Sequence, residues 1–247
     1  MAPWTQHASV RIGFIRTSET EPPFRQKFGD MLEVFARLLN SEELELVGID
    51  GYLGQLPAVD SLDGYLIPGA LESADSATGW VRDLRRFVRQ LAITRIPVVG
   101  VCFGQQIIAQ ALGGAVAPCA NGWQVGVTDV RWQQTPTGCV TPPTGGQTRL
   151  YVCHSQEIVA LPPDARCIAS SDLSRIEAFV VGGSMLGVQG HPEFTCEVAE
   201  YYLAKNDIEL SPSVVAESRR SLQNGTDHGE IGSMLAAFFS QRYRRGG

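Results

Sequence analysis

Apolar and polar positions along the chain follow two periods, and the places where one gives way to the other outline an α/β arrangement. Val10–Ile15, Leu44–Ile49, residues 65–67 and Val98–Val101 are short apolar runs, as expected of strands buried on both faces. Between them the spacing changes. Phe24, Phe28, Met31, Leu32, Phe35, Leu38 and Leu39 recur at helical intervals, which predicts one helix over residues 24–39 with a single apolar face. Residues 80–91 predict a second, Arg-rich amphipathic helix, and residues 105–112 a third that Gly113 and Gly114 end. Residues 50–57 read as a loop. Strands alternating with helices imply a mainly parallel sheet covered on both faces, with ligands beyond the carboxyl ends of its strands.

After Gly114 the pattern changes. Residues 125–132, 149–153, 176–181 and 185–189 read as further short strands, the last two joined by a Gly182-Gly183 turn. Residues 135–147, dense in Pro, Gly and Thr, predict a loop excursion. Residues 196–204 begin a helix. Val214, Val215, Leu222, Ile231, Met234, Leu235, Phe238 and Phe239 then mark helical elements on the outside of the fold, interrupted by a loop at 224–226. The expectation is one domain over residues 1–247, with its core in about 10–205 and a peripheral helical extension over 206–247.

Composition narrows the function. The 247 residues are 44% hydrophobic and 19% charged, with a net charge of −6, so nucleic acid is not the expected partner. The basic cluster Arg242-Tyr243-Arg244-Arg245 reads as a solvated tail. No apolar run is long enough to span a bilayer, and the first residues lack the basic and apolar parts of a signal peptide, so a cytoplasmic protein is expected. The six cysteines form no CxxC pair and no Cys/His spacing suited to zinc, so neither a metal nor disulfides are expected and five of the thiols are expected to be inert.

The sixth is Cys102. It falls between the run Val98–Val101 and the predicted helix at 105–112, on a tight bend that Gly104 eases. A thiol at such a place projects from a strand's carboxyl end at a helix N-terminus, where the dipole and free N–H groups favour the thiolate. The alternative is an inert buried thiol, since free cysteine is among the most buried residue types. A cysteine nucleophile needs a base and a group to orient that base. His191 and Glu193 suit those roles: they follow the apolar run at 185–189, two residues apart with Pro192 between them. A histidine judged singly is better explained by a satisfied core or surface position.

The segments GVCFGQQIIAQALGG and GVQGHPEF together resemble the nucleophile and histidine-glutamate motifs of class I glutamine amidotransferases, and the resemblance covers roughly residues 10–205. It implies a flavodoxin-like three-layer α/β sandwich and a Cys102–His191–Glu193 triad that hydrolyses a γ-glutamyl amide through a thioester, with no cofactor. It also implies an oxyanion hole from the backbone N–H groups of Phe103 and the Gly69-Ala70 segment. Gln106 matches a glutamine that helps hold the substrate, and His154, Ser155 and Gln156 fall where the substrate's amino-acid end binds. For His154 the capping of a strand edge is the alternative. Two positions depart from the pattern: Ala70 stands where the biosynthetic enzymes have a second glycine, and Gln105 where many members have histidine.

Residues 28–39, 51–57, 121–126 and 154–157 resemble free-standing, GMP-synthase-like members, including γ-glutamyl peptidases. The expected activity is therefore cysteine-dependent hydrolysis of γ-glutamyl amide or peptide bonds. Two alternatives stand beside it: an ammonia-supplying glutaminase subunit of a separate synthetase, and a non-catalytic binding protein of the same fold. The expected partners are a small γ-glutamyl substrate and either a synthetase or a second copy of the chain.

Overall fold

A computed structural model of the chain describes residues 9–133, 140–206 and 208–246, with side chains to 241. The first half alternates as the apolar periods require: β1 (Val10–Ile15), α1 (Pro22–Phe28), α2 (Met31–Leu39), β2 (Leu44–Ile49), β3 (Gly64–Ile67), α3 (Gly79–Thr94), β4 (Val98–Val101) and α4 (Phe103–Ala111). The helix expected over 24–39 is two helices. Gly29 breaks it at φ 85°, where a Cβ would lie 2.2 Å from Glu33 Oε2, and Asp30 caps α2 in a reciprocal pair with Glu33. The apolar period runs across this break without registering it. Inside the expected loop at 50–57, Gly51–Leu53 makes a single 3-10 turn.

The second half holds β5 (Ala115–Pro118), β6 (Gln124–Trp132), β7 (Gln147–His154), β8 (Gln156–Ala160), β9 (Ala165–Ser170), β10 (Ala178–Val181) and β11 (Met185–Val188). Three helices follow: α5 (Cys196–Lys205), α6 (Pro212–Leu222) and α7 (His228–Gly246). Gly182 and Gly183, at φ 54° and 70°, make the turn between β10 and β11, and those strands pair antiparallel. Strands β5, β8 and β9 have no apolar alternation strong enough to announce them; among the described residues β5 and β8 pair with each other, as a small separate sheet. Of the excursion expected at 135–147, residues 135–139 lie outside the described residues, as does Cys139. The side chains of the Arg242–Arg245 cluster lie outside them too, although its backbone continues α7.

The main sheet has the order β2-β1-β3-β4-β11-β10-β9-β6-β7. Strands β2, β1, β3, β4 and β11 are parallel, and the rest are joined antiparallel. Two reversals from β11 bring β9 back to its direction, and two more do the same for β7. The carboxyl ends of β1, β3, β4, β11 and β7 therefore share one edge, which gathers residues 16–17, 68–70, 102–103, 189–193 and 153–155 there.

Helices cover both faces. In β4, Val99 and Val101 face a core built with Phe35 of α2 and with Ile231, Leu235, Phe238 and Phe239 of α7; Val98 faces the other, with Leu84, Phe87 and Val88 of α3 and Ile107 and Ile108 of α4. The residues after 206 are thus not all peripheral. Phe238 and Phe239 are 1% exposed, worth roughly 1.5–3 kcal/mol each in burial, and a Cβ on Gly232 of α7 would lie 2.3 Å from the Leu38 carbonyl oxygen. Sequence periodicity identifies α7 as amphipathic but not the surface it covers. A third, smaller apolar group, with Phe24, Tyr151, Phe194 and Val198, lies beneath α1 and α5. Among the described residues no helix is long and apolar enough to cross a membrane.

Candidate active site

Cys102 is the N-cap residue of α4, held at φ 52° and ψ −106°, a conformation that a residue with a Cβ adopts only under constraint. Packing supplies the constraint. The Cys102 N–H donates to the Val188 carbonyl of β11 at 2.8 Å, and the Cys102 carbonyl accepts from Gln106 N at 3.1 Å. Two glycines let helix and strand meet this closely: a Cβ on Gly100 would lie 2.4 Å from Gly104 backbone atoms, and one on Gly104 would lie 2.0 Å from the Ile67 carbonyl oxygen. The sulfur faces the cavity, 3.9 Å from the Cys153 carbonyl oxygen.

His191 and Glu193 leave the neighbouring strand. His191 N donates to the Tyr151 carbonyl at 2.7 Å, which ties this segment to β7. Nδ1 of His191 lies 2.8 Å from Oε1 of Glu193, with both side chains buried. The ring is held flat against Phe194, centroids 4.5 Å apart, and Phe194 stacks in turn on Tyr202 at 5.1 Å. Burial alone opposes a charge on this imidazole. The Glu193 carboxylate, the neighbouring Cys102 sulfur and the hydrogen bond to Glu193 outweigh it, and the ring's pKa is held well above its ordinary value. With Nδ1 engaged by Glu193, Nε2 is buried without a hydrogen-bond partner and is the ring atom left available to the sulfur.

Gly69 stands against this pair: a Cβ there would lie 3.0 Å from His191 Cε1 and 3.8 Å from Cys102 Cβ. Its carbonyl accepts from Thr17 Oγ1 at 2.6 Å. In a trans peptide the next N–H, that of Ala70, points the opposite way. Phe103 is the first residue of α4, so its N–H has no intrahelical acceptor. The sequence carries no signal for Thr17, which reaches the site only because β1 and β3 are neighbours.

A cavity of about 820 Å³ opens over these groups and is lined also by Gln106, Cys119, Trp123, Cys153, His154, Ser155 and Gln156. Gln106 Nε2 donates to the Gln156 carbonyl at 2.9 Å and to Gln189 Oε1 at 3.3 Å, so both its N–H bonds are used within the protein. His154 is 3% exposed, and its Nδ1 lies 3.0 Å from that same Gln156 carbonyl. A carbonyl only accepts, so Nδ1 carries the proton and Nε2, buried without a partner, is a bare lone pair. Burial pushes this imidazole down to about 4, against the bond to Gln156, which raises it.

The cavity thus contains, besides the Cys102–His191 pair, a Cys–His contact, Cys119 Sγ to His154 Nδ1 at 3.5 Å. The two pairs differ electrostatically. Burial, with Glu157 adding to it, pushes the Cys119 thiol up to about 11, and burial likewise pushes Cys153 to about 11. A neutral thiol beside a neutral imidazole is inert; only the ring beside Cys102 has a carboxylate to hold a proton on it. Among the described residues, no three His, Cys, Asp or Glu side chains are grouped to hold a metal ion.

Comparison with known proteins bears on the family. The profile described as Glutamine amidotransferase class-I matches residues 39–210. Gamma-glutamyl peptidase 4 of Arabidopsis thaliana is 28% identical over 192 residues, 75% of this chain and 76% of the relative. One component of the glutamine-hydrolyzing GMP synthase of Halobacterium salinarum is 31% identical over 140 residues, 56% of this chain and 69% of that component. Among solved structures, a glutamine amidotransferase from Methylobacillus flagellatus covers 96% of this chain and is itself covered to 94%, with a TM-score of 0.74 and 22% identity, a likeness of fold. A profile match over more than half of the chain, on this fold, settles the family: the protein belongs to the class I glutamine amidotransferases.

Proposed function

We propose that the protein is a cysteine-dependent hydrolase of γ-glutamyl amide or peptide bonds. The observation that carries this reading is the buried 2.8 Å contact of Glu193 with a His191 ring whose proton affinity is raised beside the Cys102 sulfur. Cys102 attacks the γ-carbonyl carbon, and the resulting oxyanion lies between the N–H groups of Phe103 and Ala70. His191 protonates the departing nitrogen, the amine leaves, and a γ-glutamyl thioester remains. A water molecule that gives its proton to His191 attacks the thioester; glutamate leaves and the thiolate–imidazolium pair is restored. Glu193 keeps the ring in one tautomer and stabilises its charge throughout. The bare Nε2 of His154 accepts from the α-ammonium of the γ-glutamyl group, the one strong donor such a substrate brings, while Gln106 holds the 154–156 segment in place.

The purified chain alone releases amine or ammonia from a γ-glutamyl peptide or glutamine, accumulates a thioester on Cys102 detectable by mass spectrometry, and loses both on Cys102→Ala. Absence of turnover, with Cys102 alkylated no faster than the other thiols, refutes the reading. A second reading, an ammonia-supplying component of a larger synthetase, is favoured by the relatives named as parts of GMP synthase. It predicts an idle chain whose glutaminase activity appears only when an ATP-using partner is added.

A further inference from the structure

The peptide unit between Gly69 and Ala70 stands where the proposed oxyanion forms, and little of the protein holds it there. Both residues follow β3 outside any strand or helix. Among the described residues, the bond from Thr17 Oγ1 to the Gly69 carbonyl, at 2.6 Å, is the one hydrogen bond that the backbone of residues 68–71 makes. Gly69 has no side chain to limit its dihedral angles, and one would press on the base, with its Cβ 3.0 Å from His191 Cε1. A peptide so lightly held can turn about the bonds on either side of it, and turning puts its carbonyl oxygen where its N–H had been.

Thr17 is itself braced. The preceding residue, Arg16, donates its N–H to the Ile49 carbonyl at 2.8 Å and accepts from Tyr52 N at 3.1 Å. The Arg16 guanidinium pairs with Asp50 at 3.1 Å and with Asp30 at 3.7 Å. The order of the sheet then gives the Thr17 bond a direction. Strand β3 lies between β1 and β4, with Thr17 beyond the end of β1 and Cys102 beyond the end of β4. A carbonyl drawn to the β1 side leaves the N–H of the same peptide facing the β4 side, where Cys102 and the first N–H of α4 stand. Among the described residues the Ala70 N–H has no acceptor within the protein.

We infer that Thr17 is a positioning residue, whose hydroxyl holds the Gly69 carbonyl on the β1 side and so aims the Ala70 N–H at the place where the oxyanion develops. With the peptide turned, a carbonyl oxygen faces the growing negative charge and repels it. The hydroxyl therefore acts on the transition state rather than on substrate binding. Its hold falls on the carbonyl of residue 69, so it works equally with alanine at position 70. The inference rests on the proposed hydrolase reading for its effect on turnover, whereas the orientation of the peptide is measured separately.

Thr17→Val keeps the shape of the side chain and removes its donor; Thr17→Ser keeps the donor. Three readouts are compared: kcat and KM on a γ-glutamyl peptide, the rate of Cys102 alkylation by iodoacetamide, and the nuclear Overhauser contact between the Ala70 amide proton and the Cys102 β protons. Alkylation displaces iodide at a saturated carbon and forms no oxyanion, so it reports on the thiolate alone. In Thr17→Val, kcat falls about ten- to a hundredfold while KM and the alkylation rate stay within about twofold of wild type, and the Overhauser contact weakens. Thr17→Ser restores kcat and the contact. Thr17→Ala carries the same test if Thr17→Val does not fold. A kcat within about threefold of wild type, or alkylation that falls in step with kcat, overturns the inference. So does an Overhauser contact that the loss of the hydroxyl leaves unchanged. A wild type without turnover overturns the hydrolase reading instead, and the Overhauser contact alone then decides whether Thr17 sets the peptide.

Discussion

Glu193→Gln removes the charge that holds the base ready and changes almost nothing else. The amide is isosteric, and its oxygen still accepts from His191 Nδ1, so the ring keeps its tautomer and its stack on Phe194. What is lost is a negative charge 2.8 Å from a buried imidazole. Opposite charges at such range attract by about 4 kcal/mol at the effective dielectric that suits protein sites, and a hydrogen bond to a charged partner nets about 1.5–3 kcal/mol. Taking about 2–3 kcal/mol as what the imidazolium loses in the transition state, kcat falls about 30- to 200-fold, with KM nearly unchanged. The pH dependence moves with it. Glu193 raises the ring's pKa, so its loss lowers that pKa, and the alkaline limb of the Cys102 alkylation profile, where the ring gives up its proton, shifts to lower pH. Steady-state kinetics on a γ-glutamyl peptide and alkylation between about pH 5 and 10 provide the two readouts. A variant within about threefold of wild type in kcat and with an unmoved limb would falsify the assignment of Glu193 as the group that charges the base.

Three further outcomes follow from the geometry. His154→Phe keeps the cavity wall but removes the bare Nε2 acceptor, so KM rises about ten- to a hundredfold with kcat little changed; a reversed pattern rules out ammonium binding there. Gly104→Ala drives a Cβ to 2.0 Å from the Ile67 backbone carbonyl, which no rotamer relieves, and costs about 3 kcal/mol or more in urea denaturation. Glu177, an acid whose pKa is about 7 in the folded protein against an ordinary 4.5, binds more protons folded than unfolded between those limits. Stability therefore falls as pH rises from about 4.5 to 7 and stays lowered by about 3 kcal/mol above that, so Glu177→Gln is more stable than wild type at about pH 8 and close to it at about pH 4.

The sequence by itself determined most of the strands and helices that build the sheet, though not β9, and the candidate chemistry that sits on it. Local order was enough for this: a buried strand, a bend that needs glycine and the helix after it are consecutive in Val98–Ala111, and the His-Pro-Glu segment directly follows a run of core residues. Gly29 and the Asp30–Glu33 cap were equally legible as a helix break, but the longer apolar period masked them. Only the tertiary structure decided which residues share the site. Thr17, Gly69, Cys102, Cys153, His154 and His191 lie on five strand ends scattered over the chain, and the double reversals from β11 through β9 to β7 bring the last of those ends to the common edge. It also decided how the two Cys–His pairs differ in charge, because burial and the reach of one carboxylate set the charge on an imidazole, and both are properties of what surrounds the ring rather than of its place in the sequence. The same holds for α7, whose apolar stripe was plain but whose partner, the open face between α2 and β1, exists only once the sheet has formed.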